Sequence, residues 1–302
     1  MRGRIERSHE PDECRTMPQM KGPQSLQGVF SCPRHQRGNA AGSRSAPPPQ
    51  PPPLQRLVCA SLRNDLGVPA VVDRGTFQAQ LDALRLREKA HTREGDAIAA
   101  ARRRLPMVEV DGATQLIGQQ GAVTLLDAFE GRRLLIAYYF MWRTGRPAPE
   151  QCEGCTCFTS QVRELSHLHV RDVTYATLCQ GPYKESARYR DFMGWKMPCY
   201  SAEGSLDTLL IGRRIGMMHL ICYLRQGPQV FETYWTWMRG VESMDNNYRL
   251  LDLTVYGRQE KWERSPASWP QQFEGKQRMR IDGRPTSQWP RLAAGHCDDL
   301  QN

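Results

Sequence analysis

The apolar positions change period several times along the 302-residue chain, and each change predicts an element. From Thr76 to Pro106, Phe77, Leu81, Leu84 and Ile98 fall at helical spacing, with Thr76 as the expected N-cap, Gly95 as a weak point and Pro106 just past the end. The remaining face, with Arg85, Arg87, Glu88, Lys89, Arg93 and Glu94, reads as a solvated helix surface. Short strands are expected at 107–110 and 114–117, and the Asp111-Gly112 pair between them favours a hairpin. Leu134 to Phe140 is apolar without alternation, which marks a strand covered on both faces and therefore a parallel-type sheet. Residues 152–172 read as one helix burying Phe158, Val162, Leu165 and Leu168, followed by a strand from Val173 to Leu178. Pro182 opens a helix that ends at Met193, before Gly194. Strands at 219–224 and 229–235 flank an RQGP turn and form a second expected hairpin, and 245–251 is a last helix. The sum is an α/β chain with a mixed sheet and helices on both faces.

Composition divides that picture in two. The chain carries 41 Lys+Arg against 32 Asp+Glu, a formal charge of +9, and its 39% hydrophobic residues suffice for a sizeable core. Residues 1–63 hold +6 of this charge and ten of the 21 prolines, six of them in PPPQPPP. Such a run favours extended polyproline II without a packed core, so 1–63 is expected to be a disordered basic leader. Residues 64–106 then form an N-terminal helical extension, 107–270 the sheet domain and 271–302 a flexible tail. The folded part, at +3, has no electrostatic case for binding nucleic acid. The longest apolar stretch, LLIAYYFMW, is half of the roughly 20 residues a membrane helix needs, so no membrane partner is expected. Arg2, Glu6, Glu10, Asp12 and Lys21 break up the first 30 residues, which excludes the apolar region of a secretory signal and makes the cytoplasm the expected location.

Clustered cysteines carry the candidate chemistry. Cys152-Glu153-Gly154-Cys155 is a CxxC placed between a buried strand and a helix start. There, unpaired backbone N–H groups and the positive end of the helix dipole stabilise a thiolate. Cys152 is the expected nucleophile and Cys155, one turn on, the resolving thiol of thiol–disulfide exchange with a dithiol or disulfide protein or a small thiol, with no organic cofactor. Glu153 between them opposes the dipole. Two alternatives remain open: a metal or metallochaperone site on Cys152, Cys155 and Cys157, with His219 as an optional fourth ligand, and a redox-inactive interaction protein. Cys157 and Cys222 read as buried core residues, while Cys179 and Cys199 are expected near one end of the sheet.

The stretches LLDAFEGRRLLIAYYFM, CEGC, HVRDVTYATLCQGPYKESARYRDFMGWKMPCYS and YRLLDLTVYGRQEKWE, in this order, resemble the bacterial domain-of-unknown-function family 899 from about Val71 to Pro270. Its members are thioredoxin-like and described as predicted dithiol–disulfide oxidoreductases. The resemblance implies a thioredoxin-like mixed sheet flanked by helices and carries the family's CPxC-type motif onto Cys152 and Cys155, with Glu153 in place of the proline. It also implies that Gly216-Met217-Met218-His219 stands where thioredoxins place a cis-proline.

Overall fold

A computed structural model describes residues 67–298; the expected leader, 1–63, lies outside the described residues. The chain enters through α1 (Arg74–Arg102), whose N-cap is Asp73 rather than Thr76: the Asp73 carboxylate accepts from the Thr76 amide at 2.9 Å. The helix passes through Gly95 unbroken and buries none of its residues. At its end the Arg102 guanidinium lies 5.1 Å from the Tyr234 ring.

Eight strands then build one sheet: β1 (Val108–Val110), β2 (Gln115–Gly118), β3 (Gly121–Thr124), β4 (Leu134–Phe140), β5 (Val173–Cys179), β6 (Cys199–Ser201), β7 (His219–Gln226) and β8 (Gln229–Trp237). Their order is β1-β8-β7-β4-β5-β6-β2-β3. At the centre β4 runs parallel to β5 from Leu134↔Val173 to Phe140↔Cys179, and antiparallel to β7, which pairs antiparallel with β8. Helices α2 (Glu153–Gln161) and α4 (Tyr183–Met193) follow β4 and β5, and a short α3 (Ser166–His169) lies between α2 and β5. This is a thioredoxin-like arrangement. The unalternated run of β4 is covered on both faces as expected: Leu135, Ala137 and Tyr139 join Leu178, Ile221 and Tyr223 on one side, while Tyr138 and Phe140 join Phe158, Tyr189 and Phe192 on the other. Continuing the order are α5 (Leu206–Leu209), α6 (Asn246–Leu251) with Asp245 as N-cap, β9 (Arg280–Ile281), β10 (Arg284–Pro285) and α7 (Trp289–Ala293).

Three further expectations are corrected. Segments 107–110 and 114–117 do not pair with each other: β1 joins β8 at one end of the order, and β2 joins β3 and β6 near the other. The turn itself forms, with the Ala113 amide on the Asp111 carboxylate at 2.9 Å, but Val110 finds its partner in Val230. Packing across the sheet outweighs local turn chemistry. Val110 and Gln115, separated by at most about 17 Å of chain, draw the two ends of the sheet together into a curl.

The helix expected over 152–172 is two helices. Val162 leaves the helical region at φ −89°, ψ 87°, and the Glu164 carboxylate accepts from the Ser166 amide at 2.8 Å to start α3. Phe158, Val162, Leu165 and Leu168 nevertheless face one core, so the periodicity located the face but not the break.

Residues 271–298 are not a loose tail. They form a 3-10 turn (Gly275–Met279), the β9–β10 hairpin and α7, and they bury Met279 and Gln288. Among the described residues no helix is long and apolar enough to cross a membrane.

Candidate functional site

The loop from Met141 to Gln151 returns the chain to the end of β4. Gln151, wholly buried, closes it: its carbonyl oxygen accepts from the Arg143 amide at 3.0 Å, and its amide donates to the carbonyls of Arg143 and Arg146 at 2.9 and 2.8 Å. Cys152 thereby becomes the N-cap of α2 and its sulfur accepts from the Cys155 amide at 3.4 Å. The Met141 amide donates to the Cys155 sulfur at 3.4 Å, and the Met141 thioether sits 3.7 Å from the Cys152 sulfur. Both cysteines are free thiols; Cys152 is 8% exposed and Cys155 wholly enclosed.

Beneath them runs a chain of donors. The Gln288 amide donates to the Tyr189 hydroxyl at 2.6 Å, which meets the Thr156 hydroxyl at 2.7 Å, and Thr156 donates to the Cys152 carbonyl at 2.7 Å. The Tyr138 hydroxyl is buried beside the Cys155 sulfur.

The two thiols are driven apart in acidity. Hydrogen bonding from the Cys155 thiol, and then from the backbone at Cys155, holds Cys152 below the ordinary thiol range against the opposing effects of burial and the Glu153 charge. Burial, and then its hydrogen bond to Cys152, pushes Cys155 well above that range. Glu153 is itself paired: the Arg280 guanidinium lies 3.0 Å from its carboxylate, with both side chains largely covered.

Of the alternative ligands, neither Cys157 nor His219 joins the pair. Cys157 lies about 200° around the helix from Cys155, accepts a long contact from the Gln161 amide at 3.5 Å and is pushed by burial to about 12. His219 pairs with Tyr139, so it leaves the sheet on the face opposite the dithiol, where Arg214 and the Trp237 ring hold it. No three His, Cys, Asp or Glu side chains gather as metal ligands among the described residues. Cys179 and Cys199 do meet at one end of the sheet, lining a small apolar pocket with Trp142, Tyr189 and Trp195; burial raises both, Cys199 to about 11. Cys222 is raised to about 11, chiefly by burial. Met218, directly before β7, approaches Gly154, where an added Cβ would stand 3.7 Å from its methyl group.

Met141, Tyr138, Arg280 and Gln288 were not foreseen as site residues. Met141 had a usable signal, because it follows the strand that delivers the motif. Arg280 had none, lying 127 positions from Glu153.

The model of a family described as bacterial protein of unknown function, DUF899, matches residues 67–280. The chain belongs to that family. The DUF899 match therefore covers the dithiol and every strand of the large sheet, and ends on Arg280. No curated protein matches this DUF899 chain. Among solved structures, it is similar to a peroxiredoxin Q mutant from Xanthomonas campestris, at 11% identity and a TM-score of 0.34, over 47% of this chain and 92% of that one. It is also similar to a putative thiol:disulfide interchange protein DsbE from Chlorobium tepidum, at 13% identity and a TM-score of 0.32, over 46% of this chain and 94% of that one.

Proposed function

We propose that the protein is a thiol–disulfide oxidoreductase in which Cys152 attacks and Cys155 resolves. The observation carrying this reading is the pair of free cysteines at the start of α2, Cys152 slightly exposed with its pKa lowered and Cys155 enclosed with its pKa raised. The Cys152 thiolate attacks one sulfur of a substrate disulfide, forming a mixed disulfide and expelling the other sulfur as a thiolate. Cys155 then gives its proton to that departing thiolate and attacks the Cys152 sulfur, releasing the second substrate thiolate. Two electrons leave the dithiol, the substrate disulfide is reduced, and a Cys152–Cys155 disulfide remains. Separation of the two acidities suits this order, because the attacking sulfur ionises first.

A trapping experiment tests the reading. Treated with a small aromatic disulfide and digested for mass spectrometry, Cys155→Ser is expected to keep a mixed disulfide on Cys152. Wild type is expected to show the internal disulfide instead. An adduct on Cys152 that lasts equally long in both proteins would exclude Cys155 as the resolving thiol.

A further inference from the structure

The C-terminal segment reaches the dithiol through one side chain. The Arg280 guanidinium donates to the carbonyls of Pro149 at 2.6 Å and Gln151 at 2.8 Å, to the Glu153 carboxylate at 3.0 Å and to the carbonyl of Gly283 at 2.7 Å. Three of these acceptors lie in the five residues that end on Glu153, and the fourth is in the turn of the segment's own β9–β10 hairpin. A planar guanidinium offers several donors in a fixed fork, which a single ammonium group does not.

The charged and titratable groups facing Cys152 are few. Glu153 adjoins it, Cys155 follows one turn later, Tyr138 comes from β4 and Tyr189 from α4. Burial pushes both tyrosine hydroxyls and the Cys155 thiol upward, so all three are neutral near neutral pH. Of the charged side chains, Glu153 and Arg280 form an ion pair at the motif, while Arg239, Glu242 and Arg278 line the pocket beside Gly154.

We propose that Arg280 is a positioning residue for Cys152: it neutralises Glu153 and holds the Pro149 and Gln151 carbonyls, which keeps the N-cap sulfur in place and spares it a bare neighbouring carboxylate. This deepens the oxidoreductase reading and rests on it for its purpose. The clamp also explains how a CxxC motif accommodates Glu153 at a helix start without losing an ionisable Cys152.

The test is the pH dependence of Cys152 alkylation by iodoacetamide in the full chain, followed by peptide mass spectrometry. In Arg280→Met the unpaired carboxylate is expected to raise the midpoint by about one unit and to slow alkylation at neutral pH about tenfold. Arg280→Lys is expected to keep most of the wild-type midpoint, and adding Glu153→Gln to Arg280→Met to restore it. A purely structural role would slow alkylation without that rescue, so an unmoved midpoint or a failed rescue overturns the proposal. If Arg280→Met does not fold, Glu153→Gln alone decides. It leaves Arg280 as an unopposed positive charge, so the midpoint should fall below wild type, and no shift counts against the clamp. Alkylation reads the sulfur directly. A wild-type protein that reduces no disulfide would remove the oxidoreductase reading while leaving the clamp measurable.

Discussion

Cys152→Ser is expected to lower the reduction of insulin disulfides, with dithiothreitol as electron donor, by about a thousandfold or more, down to the rate of dithiothreitol alone. A serine hydroxyl ionises far above any thiol and forms no disulfide, so neither half of the exchange is possible without the Cys152 sulfur. Nor does Cys155 substitute for it: that sulfur is wholly enclosed and its ionisation is pushed up by burial. The pH profile carries a second signature. Only the thiolate attacks, and Cys152 is held below the ordinary thiol range, so wild-type activity should rise with pH earlier than that of a free cysteine and be lost as pH falls through the lowered value. The variant should show no such rise. Equal turnover by wild type and Cys152→Ser would remove the dithiol from the chemistry.

What the sequence revealed of this site was its local half. The run from Leu134 to Phe140 and the CxxC after it lie within about twenty residues of each other, and strand, turn and helix start each leave a pattern at that range. From this come the buried central strand, the helix start and the placement of Cys152 and Cys155 at it. The other half arrives from far along the chain. Arg280 and Gln288 sit in a polar stretch with no period, and composition there reads as a tail. Their polarity has a partner: the guanidinium satisfies two carbonyls and a carboxylate of the motif's approach, and the Gln288 amide satisfies the Ala148 carbonyl and Tyr189. A polar side chain that is buried because it bonds to a distant backbone looks, in sequence, like one that is solvated. The failed hairpin at Asp111-Gly112 has the same origin. The turn chemistry was legible, but the preference of Val110 for Val230 was not, since pairing across a sheet depends on neighbours that the local pattern does not contain.

Phe140 is where the core meets the site, and Phe140→Ala is expected to be the most destabilising of the substitutions considered, by about 3–5 kcal/mol. Its ring is almost wholly buried, with neighbouring ring centroids at 6.4 Å for Tyr138, 6.1 Å for Trp142 and Tyr189, and 5.8 Å for Trp195. Tyr189 in turn contacts Trp142, Phe192 and Trp195, so these rings cannot close over the void without disturbing one another. Burial supplies most of the cost, and the edge-on geometry adds to it. The effect should also reach the dithiol, because Phe140 directly precedes Met141, whose amide donates to the Cys155 sulfur. Urea unfolding followed by tryptophan fluorescence measures the loss. Phe77→Ala is the matched control: its ring stands on α1, which buries none of its residues, and the change should cost no more than about 0.5 kcal/mol. Equal midpoints for the two variants would mean that the ring cluster under the dithiol does not hold the fold. A large loss for Phe140→Ala alone, with faster alkylation of Cys155, would show that the enclosure of Cys155 depends on that cluster.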